Sequence, residues 1–459
     1  MNSEKLQQDI VLAGGTLIDG RGGQPLADSA IVIRGQTIAQ VRSNKGFNYG
    51  ESAKVIDVAG KYVLPGLIDI HVHYSDWMGQ LFLSHGVTTV KDLGNDIDWI
   101  SSVSRDIARG KIHGPRILYV GNGLDAPPPD RNTHVAVTDE GTARRAVQLL
   151  HGKGASAIKV REKMRPELLA VVAEESHKLG IPVTGHLKRT DARQAALAGI
   201  DGLEHLSGFV QAITNAPRER QSDQDDRQVL ISDLKAFSLI ESSAAEELIN
   251  LLVRRNVAVM PTMPIWWRMA TPHRDDFAVE DANYADDPAL AYVPENIRAS
   301  WASSSFYDVE DAGELQQVQL CFARMLSVVL SHHQSGGEVL AGSDTFFSIP
   351  GLSLQRELML LRDAGISPIE VISIATRNNA KFLGKESEFG TITTGKLADI
   401  LVVDDNPLDD IRNIKSVALV MKDGQIVDTS DDANYFVSSP KPKKSSWLEK
   451  IGQVILESN

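Results

Sequence analysis

Two histidines separated by one residue, His71 and His73, end the apolar run of residues 66–73. Such a run is typical of a buried strand, and residues two apart in a strand face the same way. The two imidazoles are therefore expected to point together. Paired imidazole nitrogens can hold one metal ion.

Polar side chains also end four later apolar runs, where an ordinary core would carry Val or Leu. They are Lys159, His186, His205 and Asp344. Any one of them alone is more often a hydrogen-bonded core group than a ligand. If the runs are parallel strands of a barrel, their C-terminal ends meet at one face, so six potential ligands from five strands converge there. The set as a whole favours a metal site.

Lys159 is unusual in this set because an ammonium group has three donors and no lone pair with which to bind a cation. Burial in a low-dielectric site can lower the pKa of a lysine and expose a nucleophilic amine. Such an amine can add CO₂ to form a carbamate, whose two oxygens can bridge two metal ions. The alternative is an ion pair between Lys159 and Asp344, which needs no metal.

The segments that carry these residues alternate between strand-like apolar runs and helix-period stretches, the pattern of βα units. Strands are predicted at 64–71, 87–93, 116–121, 155–160, 182–187, 202–206, 257–263 and 339–344, with helices at 142–150, 166–179, 245–255, 315–330 and 352–361. This pattern predicts an α/β fold with a (β/α)₈ TIM barrel over residues 66–385. A doubly wound open sheet competes, but no glycine-rich dinucleotide turn follows the first strand.

Short apolar runs with glycine-bearing turns occur near both ends of the chain and predict β-hairpins. Residues 1–65 and 386–436 are therefore expected to form one small β-domain, which the barrel interrupts. In the tail at 437–459, one helical face is shared by Trp447, Ile451, Val454 and Ile455. Packing of that short amphipathic helix against its own or a sister chain is favoured over contact with a membrane.

Two connections, 207–244 and 264–311, are longer than ordinary loops. The second contains Trp266 and Trp267 among many acidic residues, and we interpret it as a candidate cover for the substrate. The two tryptophans could wall a pocket for a bulky group, or they could pack beneath the loop instead.

The composition excludes several classes of protein. The chain has 459 residues and a net charge of −13, so we expect no basic surface of the kind that binds nucleic acid. Its single cysteine, Cys321, cannot form an internal disulfide. We find neither a signal-peptide pattern nor a run near the roughly 18 apolar residues of a membrane span, so we expect a soluble, cytoplasmic protein.

The motifs together resemble those of the amidohydrolase superfamily, and within it the imidazolonepropionase-like and Xaa-Pro dipeptidase (prolidase)-like branch. The resemblance rests on His71-Val72-His73, Ile158-Lys159-Val160, Gly185-His186, Glu204-His205 and Gly342-Ser343-Asp344. Supporting segments lie at 86–94, 114–117, 375–380 and 390–399. The resemblance covers the chain from about residue 9 to about residue 430.

The resemblance implies a ligand set for two divalent metal ions. His71, His73 and Asp344 would hold the first, His186 and His205 the second, and carboxylated Lys159 would bridge both. It also implies that the domain from both chain ends is a β-sandwich and that the protein is a homo-oligomer. Zinc (Zn²⁺) is the expected metal, although manganese, cobalt or iron would accept the same donors.

The expected mechanism uses two metal ions to activate a hydroxide and polarise a carbonyl group, while Asp344 carries a proton to the leaving nitrogen. The predicted activity is hydrolysis of an amide C–N bond in a small-molecule or short-peptide substrate: a dipeptide, an Xaa-Pro peptide or an N-acyl amino acid. Hydrolysis of a cyclic amide, lactone or phosphotriester by the same centre is an alternative. The non-enzyme alternative is an inactive scaffold relative.

Substrate contacts are predicted around the proposed metals. Arg161 and Lys188 each lie two residues past a ligand and could clamp a substrate carboxylate, although surface ion pairing is the alternative. His134, in the loop after the third strand, is a further candidate. Glu204 is expected to alternate away from the site beside His205. Asp92 is expected to orient a ligand.

Overall fold

The structure is a computed structural model, and it describes residues 8–129, 131, 133–214, 226–271, 293–298, 309, 311–345 and 349–427. The predicted tail at 437–459 and most of the predicted cover at 264–311 lie outside the described residues.

Most of the described strands are short and buried. They are β1 (Ile10–Leu17), β2 (Leu26–Arg34), β3 (Thr37–Ser43), β4 (Lys54–Asp57), β5 (Tyr62–Pro65), β6 (Leu67–Val72), β7 (Val87–Asp92), β8 (Arg116–Tyr119), β9 (Leu124–Asp125), β10 (Val135–Ala136), β11 (Ile158–Val160), β12 (Val183–Gly185), β13 (Gly202–Glu204), β14 (Ala258–Met260), β15 (Ile400–Val403), β16 (Val417–Lys422) and β17 (Gln425–Ile426).

Strands from both ends of the described chain share one sheet. Its order is β17-β16-β15-β5-β1-β2-β3, with β4 paired to β1. The junction is an antiparallel pair in which Pro65 of β5 lies opposite Ile400 of β15. Leu12, Val63 and Val402 belong to the buried apolar cluster of this sheet. The expectation that both ends build one β-unit is confirmed, whereas its division into a two-layered sandwich stays a prediction.

The strands between those ends are parallel. One sheet has the order β6-β7-β8 and another the order β10-β9-β11-β12-β13-β14. Strands β6, β7, β11, β12, β13 and β14 are buried at every residue. Burial on both faces explains why their sequences are nearly continuous apolar runs, as in other parallel sheets. Seven of the eight predicted strands are found here.

The eighth predicted strand, at 339–344, is wrong as a regular strand. This segment makes one bridge, from Val339 to Val259, and the amide of Ile70 donates to the carbonyl of Ala341 over 3.2 Å. The side chain of Asn379 accepts from the Ala341 amide and donates to the carbonyls of Ala341 and Ile68, at 2.7–3.1 Å. The Asn379 side chain therefore forms hydrogen bonds with backbone groups that would otherwise pair with a neighbouring strand. The segment lies between β14 and β6, and closure into a complete barrel stays a prediction.

The helices lie between the parallel strands and after them. They are α1 (Gly79–Ser84), α2 (Ile97–Ala108), α3 (Glu140–Gly152), α4 (Pro166–Lys178), α5 (Ala192–Ala198), α6 (Phe209–Ile213), α7 (Asp226–Lys235), α8 (Ser242–Arg254), α9 (Pro264–Ala270), α10 (Ala312–Gln334), α11 (Leu352–Asp363), α12 (Pro368–Ser373) and α13 (Asn379–Phe382). The five predicted helices correspond to α3, α4, α8, α10 and α11. The long connection at 207–244 contains α6, α7 and the start of α8.

Within the described residues, none of the helices combines the length and the apolar character that crossing a lipid bilayer requires.

A partly buried cation joins the parallel strand β8 to the sheet built from both ends. The guanidinium of Arg116 forms ion pairs with Asp399, over 2.5 Å, and with Asp423. It also lies 4.8 Å above the ring of Phe389. Asp399 directly precedes β15 and Asp423 directly follows β16, both in the shared sheet. The ion pairs of Arg116 therefore connect the two sheets.

Candidate metal centre

Four imidazoles and one carboxylate meet at the ends of the parallel strands. The Nε2 atoms of His71 and His73 lie 3.7 and 3.4 Å from Asp344 Oδ1, and Nε2 of His205 lies 3.7 Å from Asp344 Oδ2. The ring of His186 is 4.6 Å from that of His205, centroid to centroid. The structure therefore brings together five of the six predicted ligands through direct contacts.

The sixth predicted ligand, Lys159, is buried beside them and contacts Glu204. Its Nζ lies 2.8 Å from Glu204 Oε2, and Thr184 Oγ1 donates to Glu204 Oε1 over 2.8 Å. Burial by itself would raise the pKa of Glu204, but the charges of Lys159 and His205 outweigh it and hold that pKa below its usual value. Burial is also the main cause of the lowered pKa of Lys159.

Two predictions about these residues are corrected. The alternative partner proposed for Lys159 was Asp344, whereas the structure pairs the ammonium with Glu204. Glu204 was expected to alternate away from the site, but both Glu204 and His205 face it. The reason is that β13 ends at Glu204, and His205 and Leu206 have φ values of 60° and 53°. Strand alternation no longer applies once the chain leaves the extended conformation.

Left-handed backbone recurs at this end of the strands. Besides His205 and Leu206, Thr262 and Asp344 have φ values of 49° and 47°. Residues other than glycine adopt this conformation at an energetic cost of about 1–3 kcal/mol each, and such residues cluster at functional sites. Here the turns direct the side chains that end the strands toward a common point.

The donor atoms fit a divalent metal ion. Both ring nitrogens of His71 and Oδ1 of Asp344 are buried and have no hydrogen-bond partner within the described residues. Potential ligand atoms lie within 4.8 Å of one another in two groups, His71 with His73 and Asp344, and His71 with Glu204 and His205. The first group matches the predicted ligands of the first metal. The second contains Glu204, which the sequence interpretation did not include.

The electrostatics of the site favour neutral imidazoles. Burial lowers the pKa of His71 well below its usual value, and the charge of Lys159 lowers it further. Burial likewise lowers the pKa values of His186 and His205. Metal binding requires the unprotonated ring, so these shifts remove the competition between a proton and a cation.

Thr262 determines the tautomer of His205. Its hydroxyl donates to the carbonyl of Pro261 over 2.7 Å, so it can only accept from the neighbouring Nδ1 of His205. The proton of the imidazole then resides on Nδ1, and the lone pair of Nε2 faces Asp344. Glu357 stabilises the same turn, because its Oε2 accepts from the amide of Met263 over 2.7 Å.

Thr262→Val is expected to weaken binding of a metal at His205 by about 10- to 100-fold, as loss of a hydrogen bond that orients a ligand does elsewhere. The measurement is metal affinity by competition with a chromogenic chelator. Thr88→Val is the matched control, since the Thr88 hydroxyl is buried without a partner in the described chain. Equal affinities for the two variants would contradict the assigned role of Thr262.

Two carboxylates hold the backbone beside the other ligands. Asp69 accepts from the amides of His71 and Ser343, over 3.2 and 3.0 Å, and also from the Ser343 hydroxyl. Burial raises the pKa of Asp69 to about 7. Asp92 accepts from the amide of Tyr74, directly after His73, over 2.9 Å. Asp92 therefore fixes the backbone directly after His73, and its role in orienting a ligand stays a prediction.

A cleft opens above the cluster, with His186, His205 and Asp344 at its floor. Its empty volume is about 600 Å³, part of which is open to solvent. The wall is mainly apolar and comprises Leu206, Val210, Leu230, Phe237, Ile265 and Trp266. Trp266 thus lines the cleft, the first of the two alternatives stated for it. Trp267 does not, and its ring instead lies 4.0 Å from the guanidinium carbon of Arg356.

The two predicted carboxylate clamps both lie beside Glu162. Lys188 Nζ is 3.4 Å from Glu162 Oε2, and Arg161 Nη2 is 3.8 Å from Oε1. The same Oε1 lies 3.7 Å from His186 Nε2. Glu162 was missed from the sequence because a glutamate in a loop after a strand carries no distinguishing pattern. His134 is buried and packs with Arg161 around Gly123, at the edge of the site.

Solved structures with this fold include prolidases. A candidate prolidase from Bifidobacterium longum superposes with a TM-score of 0.68 and 25% identity, covering 98% of this chain and 100% of that one. A Xaa-Pro dipeptidase with methionine bound in its active site superposes with a TM-score of 0.66 and 20% identity, covering 92% and 100%.

Sequence comparison gives a related result. An adenine deaminase of Mesorhizobium japonicum is 23% identical over 406 residues, which cover 86% of this chain and 54% of that protein. The chain spans about half the length of the curated relatives it matches. A model of the amidohydrolase family matches residues 62–427, which include every predicted metal ligand. The predicted resemblance is thereby confirmed, and the chain belongs to the amidohydrolase family.

Proposed function

We propose that this protein is a dinuclear, metal-dependent hydrolase that cleaves an amide C–N bond. The observation that carries the proposal is the convergence of His71, His73 and His205 on Asp344, with unpaired donor atoms in a buried site. The proposal includes a (β/α)₈ barrel over residues 66–385 that interrupts a β-sandwich domain formed by 1–65 and 386–436.

The proposed ligands are divided between two sites. His71, His73 and Asp344 would hold one ion, His186 and His205 would hold the other, and a carbamate on Lys159 would supply oxygen ligands to both. When bound, two divalent cations, of which zinc suits these donors best, lower the pKa of water and polarise a carbonyl group. Lys159 supports the carbamate because its Nζ is buried and its pKa is lowered.

The remaining chemistry is assigned to side chains of the chain itself. Asp344 accepts the proton of the attacking water on a carboxylate oxygen and delivers it to the leaving nitrogen. The Thr262 hydroxyl holds His205 in the tautomer that presents Nε2. The apolar wall of the cleft, including Phe237 and Trp266, excludes bulk water around the reacting group.

The proposed substrates are dipeptides, Xaa-Pro peptides or N-acyl amino acids. An apolar wall suits an acyl group or an uncharged side chain. Arg161 and Lys188 lie at the same edge and supply cations for a carboxylate, with Glu162 as their present neighbour. A substrate carboxylate must therefore compete with the carboxylate of Glu162 for the two cations. Only a substrate that binds them more strongly than Glu162 does would be held.

The names of the sequence relatives favour a second candidate, deamination of a purine such as adenine. This reaction also breaks a C–N bond but releases ammonia rather than an amino acid. Hydrolysis of a cyclic amide, lactone or phosphotriester uses the same centre and stays within the proposal as an alternative substrate class.

The test is a substrate panel assayed with zinc-reconstituted full-length protein. Dipeptides, Xaa-Pro peptides, N-acyl amino acids, a lactam, a lactone, a phosphotriester and adenine are compared by kcat/KM. We expect a linear amide to exceed the other classes by at least about tenfold, a difference of about 1.4 kcal/mol in transition-state binding. Unchanged turnover by stringently metal-free protein would refute the mechanism. A higher kcat/KM for adenine than for any amide would replace amides by purines as the proposed substrate class.

A further inference from the structure

Asp233, on α7, places a carboxylate in the otherwise mainly apolar wall of the cleft. Leu230 lies three residues before it on the helix, and Phe237 lies four residues after it, just beyond the helix end. All three residues line the cleft, and this spacing is that of side chains on one helical face. An apolar side chain would be usual between two apolar neighbours on such a face. The carboxylate at this position therefore points to a polar ligand.

The charge of Asp233 is only partly compensated within the described residues. The carboxylate forms no hydrogen bond there, and its one ion pair is with Lys188, whose Nζ lies 3.9 Å from Oδ2. That separation is longer than the roughly 3.2 Å limit of a good hydrogen bond. Burial raises the pKa of Asp233 to about 6, although the charge of Lys188 lowers it. The side chain is still 35% exposed, so a ligand in the cleft can reach it.

Lys188 offers the opposite charge to the same cleft. It lines the cleft, and its Nζ lies 3.4 Å from Glu162 Oε2 and 3.9 Å from Asp233 Oδ2. Neither distance is that of a short, charge-assisted hydrogen bond. An ammonium group has three donors. A ligand carboxylate can therefore bind Lys188 while a ligand ammonium binds Asp233.

The short distance between these two charges restricts the ligand. Its carboxylate and its ammonium must lie only a few ångström apart, as they do when both groups are bonded to one carbon atom. That arrangement is the head group of an α-amino acid. In a dipeptide the two groups lie on opposite sides of the scissile bond, so a dipeptide with its carbonyl group beside Asp344 would direct them apart.

The rest of the cleft suits the remainder of such a ligand. Val210 and Trp266 belong to its apolar wall, and His205 and Asp344 lie at its floor. A chain of methylene groups gains from contact with apolar side chains of this kind. An amide at the end of that chain can reach the floor while the head group stays at the charged pair.

We propose that Lys188 and Asp233 bind the head group of an α-amino acid, and that the substrate is an amide formed by the side chain of that amino acid. The inference rests on the proposed function and names its substrate class: Nε-acyl-lysine or γ-glutamyl amides rather than dipeptides. In the hydrolysis of Nε-acetyl-lysine the amide C–N bond breaks. The hydroxyl group of water joins the acetyl carbon and its remaining proton joins Nε, which gives acetate and lysine.

The experiment compares substrates that differ by one charge, with zinc-reconstituted full-length protein. The kcat/KM of Nε-acetyl-lysine is compared with that of its analogue without the α-amino group and with that of its carboxamide. Each change is expected to lower kcat/KM by about tenfold or more, mainly by raising KM, because a hydrogen bond between charged groups is lost. γ-Glutamylethylamide and its analogue without the α-amino group show whether the amino acid supplies the acyl group or the amine.

Two variants connect each charge of the substrate to a residue. Asp233→Asn is expected to lower kcat/KM for Nε-acetyl-lysine to the value of the analogue without the amino group, and to leave that analogue unchanged. Lys188→Met is expected to remove the difference between Nε-acetyl-lysine and its carboxamide. Asp139→Asn makes the same chemical change as Asp233→Asn at the cap of α3, and is expected to leave every value unchanged.

Three outcomes would contradict the proposal. If wild-type protein hydrolyses the analogue without the amino group as well as Nε-acetyl-lysine, or prefers a dipeptide, the substrate class is wrong and the proposed function stands. That comparison needs no variant, so it decides the question even if Asp233→Asn does not fold. An equal loss for both substrates in Asp233→Asn overturns the role of Asp233. No turnover of any linear amide refutes the proposed function and this substrate class with it.

Discussion

Asp344→Asn is expected to lower kcat by about 10³-fold, within the range for loss of a positioned general base. The Asp344 carboxylate lies 3.4–3.7 Å from three imidazole nitrogens, and its Oδ1 has no hydrogen-bond partner in the described chain. An amide at this position keeps an oxygen ligand but cannot accept a proton. The variant should therefore retain most of its metal while losing turnover.

Steady-state kinetics and elemental analysis of the same preparation provide the measurement. Asp139→Asn is the matched control, because the chemical change is identical and Asp139 caps α3, where asparagine serves equally well. Wild-type kcat in Asp344→Asn would exclude the proton-transfer role. If the variant lost metal in proportion to its loss of activity, Asp344 would act only as a metal ligand and not in proton transfer.

Lys159→Ala is expected to lose bound metal and to lower activity by about 10³-fold or more, since metal ions contribute several kcal/mol to such reactions. The truncation also leaves a small cavity beside Glu204. A short carboxylate such as propionate is expected to enter that cavity, replace the carbamate and restore part of the metal content and the activity.

Lys159→Met is the control for this rescue. Methionine also removes the amine, but its side chain fills the space, so propionate should have no effect on it. Bound metal and kcat are measured for both variants with and without propionate. Full metal content in Lys159→Ala without any added carboxylate would show that Lys159 carries no bridging group.

The convergence of the predicted ligands could be foreseen because each of them ends an apolar run. Apolar runs of parallel strands are visible in a sequence, and their C-terminal ends are where side chains of such folds converge. His71, Lys159 and His186 follow this rule directly, since they lie on strands or one residue beyond. The spacing of His71 and His73 was equally informative.

Glu204 shows where that reasoning fails. Alternation assumes extended backbone, and the left-handed turn at His205 ends the strand two residues earlier than predicted. A residue of positive φ other than glycine has no reliable signature in the sequence. The same limit applies to Asp344, whose φ of 47° ends the extended conformation of the predicted eighth strand.

Charge partners were the least predictable feature. Arg161 and Lys188 had two alternative roles, as clamps for a substrate carboxylate or in ion pairs of the loop, and both lie beside Glu162, a partner that the sequence did not indicate. Lys91 attracted no interpretation, although it is fully buried. The chain has 107 charged side chains. Their contacts depend on the paths of the loops and on neighbours across the sheet, and no local sequence pattern indicates these contacts.

The sheet shared by both ends has a consequence for biosynthesis. The edge of β5 that pairs with β15 stays open until residues 400–403 have left the ribosome. At translation rates of about 5–20 residues per second, the delay is on the order of tens of seconds. During it the nascent chain presents an unpaired, apolar strand edge, a template for aggregation. Nascent chains stalled before residue 400 should therefore depend on chaperones more than those stalled after residue 422.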